Sequence, residues 1–300
     1  MLKKIYKFYI KILVLILLIL ILIQIITSYV FSFVVEKQLN LQFNKMISSS
    51  FIKVKERTYN RGVFSSEAST EIVLNNNLLS TIFKLFPNID KKTKTAIVNN
   101  TFSIKYTTHI EHGLFIGILH GYFYPTLAYS TDTIIYPDKI KRLLSKFFIN
   151  DIPLNIINII YFDKSGKYYI SSPNFNYMET VSEIKVDWKG LKSIIKYDKN
   201  FDNLNIQLGV PYLGIFAPTK GSIVLENLNY ISNTSISSNK IHTGLTNLII
   251  DKIQAEWKDN ISLNLKLGDL ISLITGLRST EFLNSFDTLN PNQFEFKNIK

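Results

Sequence analysis

Two hydrophobic patterns divide the chain: an uninterrupted apolar run near the N-terminus, and alternation of apolar and polar residues after it. The run covers Ile12–Val35 without a charged side chain, and its clearly polar members are Gln24, Thr27, Ser28 and Ser32. As a helix rising about 1.5 Å per residue, it would reach roughly 36 Å and cross a bilayer core of about 30 Å. The pattern therefore predicts a transmembrane helix.

The run is predicted to be an uncleaved signal anchor. A cleavable secretory signal has an apolar core of about 7–15 residues, followed by small residues at the cleavage site. Here the core is longer, and residues 28–33 are mostly bulky where cleavage requires small side chains. A cleaved signal is the alternative interpretation.

The charges that flank the run predict its orientation. Four lysines lie within the first eleven residues, whereas the other flank opens with Glu36 and Lys37. The positive-inside rule places the N-terminus in the cytoplasm and the rest of the chain across the membrane. The expected parts are a cytoplasmic tail over 1–11, the anchor over 12–35, a helical stalk over 36–50 and a periplasmic β-rich domain over 51–300.

Two-residue alternation in the exported part predicts strands with one buried and one solvated face, which is typical of antiparallel sheet. The clearest alternation lies in residues 101–111, 184–188, 203–210, 249–257 and 261–267. Turn residues separate such segments at 60–62, 164–166, 189–190 and 219–221.

Helical periodicity is limited to short segments at 77–86, 137–148 and 270–277. In residues 137–148 an apolar stripe faces a row of lysines and one arginine. This basic helix is expected to pack on the sheet, with binding to a membrane surface as the alternative. The predicted fold class is mainly β with a few helices (α+β): an N-terminal transmembrane helix, then a large curved antiparallel sheet partly covered by short amphipathic helices.

Composition narrows the partners. The chain has no cysteine, so it has neither a disulfide nor a thiolate metal site. The net charge is +11, and the four N-terminal lysines account for part of it, which leaves +7 on the rest. Because charges of both signs are interspersed beyond the anchor, nucleic acid is not an expected partner.

Histidines form the one cluster of candidate metal ligands: His109, Glu111, His112 and His120. On a strand, His109 and His112 point to opposite faces and cannot hold one ion, so a surface histidine pair is the preferred interpretation. The chain also lacks a Gly-x-Ser-x-Gly elbow and a glycine-rich phosphate loop. No catalytic residue, metal site or cofactor is predicted, and an envelope hydrolase is the least favoured function.

The apolar faces of the predicted strands suggest a ligand surface. They supply more apolar area than the short helices cover, and an uncovered curved sheet forms a groove for acyl chains or peptides. Alternatively, the sheet closes on itself or is filled by a second copy of the chain. The candidate ligand face consists of Phe102, Ile104, Tyr106, Leu204, Ile206 and Leu208.

Four short motifs occur in order along the chain: residues 59–68 (YNRGVFSSEA), 109–115 (HIEHGLF), 187–191 and 241–245. The first resembles the opening motif of the YdgA-like bacterial family of unknown function, and the second resembles that family's second block. Residues 187–191 and 241–245 are similar to later segments of that family. The motif residues are Tyr59, Arg61, Gly62, Phe64, Ser65, Ser66, His112, Gly113, Trp188, Gly190, Leu191 and Gly244.

The resemblance implies a Gram-negative inner-membrane protein with a periplasmic domain and no established activity. Family members tend to be longer, so a short or C-terminally truncated member is expected. The motif residues are expected to have architectural roles: Gly62 would take a positive φ in a hairpin, and Gly113 would end a strand. The small residues Ser65, Ser66 and Ala68 would let another element approach closely.

These observations favour a noncatalytic module that is tethered to the membrane and binds a lipid or another envelope component. The alternative is a structural or interaction protein that self-associates through its sheet.

Overall fold

The computed structural model of the protein describes residues 2–47, 52–74, 103–136, 138–148, 152–218, 221–236 and 242–257. Four of the sequence predictions lie outside these residues: the helices over 77–86 and 270–277, the strand over 261–267 and Phe102. Residues 219–220 of one predicted turn also lie outside.

A single uninterrupted helix, α1, runs over Leu2–Ile47. Its sequence contains neither glycine nor proline, so nothing interrupts the helix where the apolar run gives way to Glu36. Among the described residues, α1 is the one helix that is long and apolar enough to cross a membrane. Beyond Val35 one side of the helix is buried and the other is exposed to solvent: Leu39 and Phe43 are buried, whereas Lys37 and Asn44 are exposed.

Most of the remaining described residues form strands, each named here in chain order. The strands are β1 Ile52–Arg61, β2 Ser65–Leu74, β3 Ser103–His112, β4 Thr126–Ile135, β5 Asn155–Tyr161, β6 Gly166–Ser172, β7 Phe175–Met178, β8 Lys185–Trp188, β9 Leu191–Tyr197, β10 Asn203–Ala217, β11 Gly221–Ile236, β12 His242–Ile249 and β13 Lys252–Trp257. All described pairings are antiparallel. The predicted fold class is confirmed. The prediction of one strand over 249–257 is wrong, however, because this segment contains the end of β12 and a separate strand, β13.

The strands form one open sheet in the order β1-β2-β3-β4-β5-β6-β9-β10-β11-β12. The short strands β7, β8 and β13 join it beside the long β10–β11 hairpin. Most neighbours in the sheet are also neighbours in sequence, since short turns such as residues 162–165 connect them.

Two short helices accompany the sheet in the described residues. Helix α2, Ile116–Leu119, lies in the connection between β3 and β4. Helix α3, Asp138–Leu144, falls inside the segment predicted to be helical. The rings of Phe147 and Phe148, just after α3, pack against Phe175 with centroids 5.3 and 4.9 Å apart. The end of the predicted helical segment therefore packs against the sheet and is not fully exposed.

The sheet has an inner face, which carries α1, and an outer face. Directly paired residues of an antiparallel sheet point to the same side. One inner row is therefore His112, Ala128, Ile160, Gly166, Tyr197 and Leu204, on β3, β4, β5, β6, β9 and β10. The main core cluster joins this face to Val35 and Leu39 of α1. Within the described residues, the principal cover of this face is thus the C-terminal half of α1. Two of the three predicted short helices, over 77–86 and 270–277, lie outside those residues, so their part in covering the sheet stays a prediction.

Candidate functional site

The candidate site is the docking surface where α1 crosses the inner face. Val35 and Leu39 pack against Ala68 of β2, Ile110 of β3 and Ile160 of β5, and all five are buried. The alanine leaves room for the helix, as the small residues of the opening motif predicted. Docking therefore joins the apolar helix to the sheet through a continuous hydrophobic core.

His112 is buried between the helix and β2. Its Nδ1 lies 3.2 Å from Ser28 Oγ, and its Nε2 lies 3.0 Å from Ser66 Oγ. The exposed fractions of Ser28, His112 and Ser66 are 0 %, 1 % and 2 %. This serine–histidine chain is closed to solvent, so we assign it to holding the helix on the sheet.

The hydrogen bonds define which ring nitrogen of His112 carries the proton. Ser28 Oγ donates its hydrogen to the backbone oxygen of His112, at 2.5 Å. The hydroxyl has no second hydrogen, so Nδ1–H must donate to Ser28 Oγ. Nε2 is then the acceptor for the Ser66 hydroxyl. A neutral imidazole with its proton on Nδ1 satisfies all three groups.

Gly113 permits the close approach of the helix. A Cβ at this position would lie 2.3 Å from Gln24 Nε2, and its φ of +148° lies in a region that glycine favours. The side-chain oxygen of Gln24 accepts a hydrogen bond from the backbone N–H of Leu114 at 3.2 Å. Gly113 ends β3 as predicted, and the helix meets the sheet at Gln24.

Two glutamines hold the other end of the docked helix. Gln38 Nε2 donates to the backbone oxygens of Lys164 and Lys199, at 3.0 and 2.9 Å. Gln42 donates to Tyr197 Oη at 3.0 Å and accepts a hydrogen bond from Tyr168 Oη at 2.7 Å. The helix is therefore fixed along its whole docked length.

Tyr197 extends the Gln42 contact into the sheet. Its hydroxyl donates to Asn158 Oδ1 at 2.7 Å, in a buried pair. Burial raises the pKa of Tyr197 well above its ordinary value, so the phenol stays protonated and keeps its donor role.

Strand β1 runs beside α1 and closes one side of the docking surface. The Arg57 guanidinium lies 4.0 Å from the ring centroid of Phe43, and that of Arg61 lies 3.7 Å from the ring centroid of Phe33. Arg61 also pairs with Glu36. Arg57 of β1 and Tyr197 of β9 contact adjacent residues of α1, although five strands lie between β1 and β9 in the sheet. The sheet must therefore curl around the helix.

A polar patch lies on the inner face next to the docked helix. Thr108 Oγ1 donates to Asp132 Oδ1 at 2.5 Å. Burial raises the pKa of Asp132, and burial is also the main cause of the raised pKa of Tyr106. Arg57 lies close enough to Tyr106 to act on it electrostatically. The patch combines a buried carboxyl group with hydroxyl groups and one cation.

The predicted apolar ligand residues lie on the inner face in two separate groups. Ile104 and Tyr106 are on β3, whereas Leu204, Ile206 and Leu208 are on β10. Strands β4, β5, β6 and β9 lie between the groups. All five residues are half-buried, so the structure places them on one face without bringing them together.

The motif residues divide between the docking surface and other parts of the sheet. Tyr59, Arg61, Ser66, His112 and Gly113 surround α1. The others do not: Gly62, Phe64 and Ser65 lie around the β1–β2 turn, Trp188, Gly190 and Leu191 lie around the β8–β9 turn, and Gly244 lies on β12.

Among the later motif residues, the tryptophan makes a hydrogen bond and two glycines have steric roles. Trp188 Nε1 donates to Ser172 Oγ at 3.0 Å. Gly190 has a φ of +87°, and a Cβ there would lie 2.7 Å from Ser172 O. A Cβ at Gly244 would lie 2.0 Å from Asn233 O. These positions require glycine because the neighbouring strand approaches closely.

Two expectations about motif residues are wrong. Gly62 does not have a positive φ; it is required because a Cβ would lie 2.2 Å from Ser65 O. The prediction of a surface histidine pair is also wrong, because His112 is buried. His109 is exposed on the outer face. Glu111 contacts both His120, at 3.1 Å, and His109, at 3.8 Å, and the ring of His120 stacks on Tyr129. Within the described residues, no three such side chains form a metal-binding group.

Sequence reasoning missed the polar residues of α1 that dock it. The apolar run places Gln24, Ser28 and Ser32 in the predicted membrane span, and Gln38 and Gln42 fall in the predicted stalk. Their spacing carries a signal, because positions 24, 28, 32, 35, 39 and 42 follow one another at intervals of three or four residues. Together with Gln38 they fall on one helix face. A polar stripe that continues into an apolar one predicts a docked helix.

The burial of His112 predicts a pH dependence of stability. Burial lowers its pKa in the folded state, and hydrogen bonds to the backbone only partly oppose this effect. Above about pH 6.5 the imidazole is neutral in both states. Below it, the unfolded chain binds the proton more readily, so the free energy of unfolding falls by at most about 1.4 kcal/mol per pH unit until the folded pKa is reached.

Urea unfolding of the full chain at a series of pH values measures this slope. His112→Gln is expected to be less stable throughout but to lose most of the slope, whereas His109→Gln should retain it. An unchanged slope in His112→Gln would contradict the assignment.

The comparisons with known proteins bear on the family rather than on an activity. The sequence pattern of the family described as "Bacterial protein of unknown function (DUF945)" matches residues 10–289. No curated protein and no solved structure matches the chain. The matched region includes α1 from residue 10 onward and every described strand. The chain therefore belongs to this bacterial family of unknown function, as its motifs had indicated.

Proposed function

We propose that this protein is a single-pass protein of the bacterial inner membrane that binds a lipid or another envelope component without catalysis. Its N-terminus lies in the cytoplasm, and its sheet lies in the periplasm. The observation that carries the binding proposal is a band of half-buried apolar residues on the inner face, beyond the residues packed against α1.

The docking of α1 supports an uncleaved anchor. Cleavage after residue 33 would leave Val35 and Leu39 but remove Ser28, the partner of His112. Removal would also take away Gln24, which hydrogen-bonds to Leu114. The helix is therefore an integral part of the folded domain, unlike a signal peptide that a peptidase discards. The lysines before Ile12 support the cytoplasmic position of the N-terminus.

The band of apolar residues crosses four strands. Ile156 of β5 is paired directly with Ile170 of β6, and Ile195 of β9 is paired directly with Ile206 of β10. Leu208 continues the band on β10. All five are half-buried and lie on the inner face of an open sheet. Such a surface suits an acyl chain or another elongated apolar ligand.

The polar patch supports an amphipathic ligand. Asp132 is paired directly with Ile156, so the patch adjoins one end of the apolar band. Arg57 and the hydroxyl of Tyr106 offer a cation and a donor to a polar headgroup. A lipid whose headgroup contacts the patch would extend its chain along the isoleucines.

A matched pair of substitutions tests the binding proposal. Ile195 and Ile194 are consecutive, half-buried isoleucines on opposite faces of β9. We expect Ile195→Gln to reduce lipid retention, because it places a polar amide in the band, and Ile194→Gln to leave retention unchanged. Native mass spectrometry measures retained phospholipid after release of the full chain from nanodiscs of phosphatidylethanolamine and phosphatidylglycerol.

Comparison of the two variants separates inner-face lipid from lipid around the anchor, which both variants share. Thermal unfolding of each variant shows whether it is folded. Equal retention by two folded variants would contradict lipid binding on the inner face.

Self-association is the alternative function, and one observation favours it. Strand β12 ends the described sheet path, and Leu245 and Ile249 on it are exposed. An edge strand with exposed apolar side chains can pair with a second copy. In the same experiment, a dimer without bound lipid would support this alternative.

A further inference from the structure

Exposed apolar side chains cluster in the connection between β3 and β4. The exposed fractions are 75 % for Leu119 and 89 % for Phe123, and Leu114, Phe115, Ile118 and Tyr124 are also exposed. The connection itself is ordered by packing, since Ile116 and Gly117 are buried. The segment therefore presents its large apolar side chains outward from a fixed base. We refer to residues 114–124 as the apolar loop.

The apolar loop lies at the point where α1 leaves the sheet. Its first residue, Leu114, is hydrogen-bonded to Gln24, and every helix residue from Tyr6 to Ile23 is exposed. The loop is thus the part of the described domain that meets the apolar segment of the helix. A soluble surface would rarely carry so many large apolar side chains together.

The β1–β2 turn lies at about the same height along the axis of α1 as the apolar loop. Moving along β1 from Arg57 to Arg61 corresponds to moving along α1 from Phe43 to Phe33, toward the N-terminus. The turn that follows therefore points along the helix in the same direction. Its residues Val63 and Phe64 are exposed, and Phe64 O accepts a hydrogen bond from His112 N at 3.1 Å.

The length of the exposed helix indicates where the lipid surface lies. Only the twelve residues Ile12–Ile23 separate the last N-terminal lysine from the first domain contact at Gln24. They rise roughly 18 Å, whereas a bilayer core is about 30 Å thick. The core must then extend about 12 Å beyond Ile23, to about Phe31. Tyr29 and Val30, at this level, have exposed apolar side chains that suit contact with lipid.

We propose that the apolar loop and the β1–β2 turn insert into the bilayer leaflet on the domain side of the membrane that the helix crosses. This inference rests on the proposed anchor, but not on the proposed ligand of the inner face. The amphipathic ring of Tyr124 suits the boundary between headgroups and acyl chains, and the apolar ring of Phe123 suits the acyl chains themselves. Insertion accounts for both the short exposed helix and the uncovered apolar side chains.

Single cysteines test the proposal directly, because the native chain has none. The full chain is labelled with a nitrobenzoxadiazole fluorophore at Leu119→Cys or Phe123→Cys and placed in nanodiscs of phosphatidylethanolamine and phosphatidylglycerol. Val181→Cys is the matched control, since Val181 is 90 % exposed in the β7–β8 turn. Leu15→Cys reports on the helix itself.

We expect labels at positions 119 and 123 to emit at shorter wavelength than the label at 181. We also expect phospholipids that carry a spin-label quencher on the acyl chain to quench them. Water-like emission at 119 and 123, together with lipid quenching at 15, would overturn insertion and leave the anchor intact. A blue shift without lipid quenching would indicate a protein contact and would also overturn it. Absence of lipid quenching at 15 would instead contradict the anchor.

Discussion

Gly166→Ala is expected to lower the free energy of unfolding by roughly 3 kcal/mol. A Cβ at this position would lie 2.3 Å from the backbone oxygen of Ile159 and 2.2 Å from Tyr197 Oη. The first atom belongs to the strand ladder and cannot move aside cheaply. The second takes part in the hydrogen bonds to Gln42 and Asn158, so displacing the ring also weakens the docking of α1.

Gly209→Ala is the matched control, since it makes the same change in the middle of β10. There a Cβ would meet only Asn229 Oδ1, at the ordinary contact distance of 3.6 Å. Alanine is expected to be neutral or to stabilise by up to about 1 kcal/mol, because it restricts the unfolded chain. Urea unfolding, followed by tryptophan fluorescence, measures both changes. Similar effects at the two positions would contradict the steric explanation.

His112→Ala is expected to destabilise the protein by roughly 3 kcal/mol. The substitution leaves a cavity between α1 and the sheet, and it removes one hydrogen-bond partner each of Ser66 and Ser28. Because these groups are buried, water does not replace the lost bonds without further opening of the core. Hydrogen exchange of the α1 amides should increase along with the loss of stability, since the same side chain holds the helix in place.

His109→Ala is the control for that substitution, because it changes the same residue type on the same strand. His109 is exposed on the outer face, and its contact with Glu111 is 3.8 Å long. Its replacement is expected to cost less than about 0.5 kcal/mol. Equal destabilisation by the two alanines would show that His112 contributes no more than a surface residue.

The strands could be predicted from sequence because their signal is local. In residues 203–210, apolar and polar side chains alternate without exception up to Gly209, and β10 begins at Asn203 as expected. The fold class followed from several such segments and from the turn residues between them. The small residues of the opening motif also indicated that another element approaches there, which is what Ser66 and Ala68 allow.

The identity of that element could not be predicted, because it depends on contacts between distant parts of the chain. Ser28 and His112 are 84 positions apart, and Gln42 and Tyr197 are 155 apart. From hydrophobicity alone, Ser28 is predicted to lie in a membrane span and Gln42 in a stalk. The register between strands could not be predicted from the sequence either. Asp132 adjoins the apolar band only because β4 pairs with β5 at that position.

The uninterrupted course of α1 has a consequence for what the protein can reach. A domain on a flexible linker explores a volume that widens as the linker lengthens. Here no such joint separates the apolar segment from the sheet, so any tilt or rotation of the one is imposed on the other. In a bilayer, the sheet would stay within its own breadth of the lipid, and encounters would be confined to molecules that arrive at that surface.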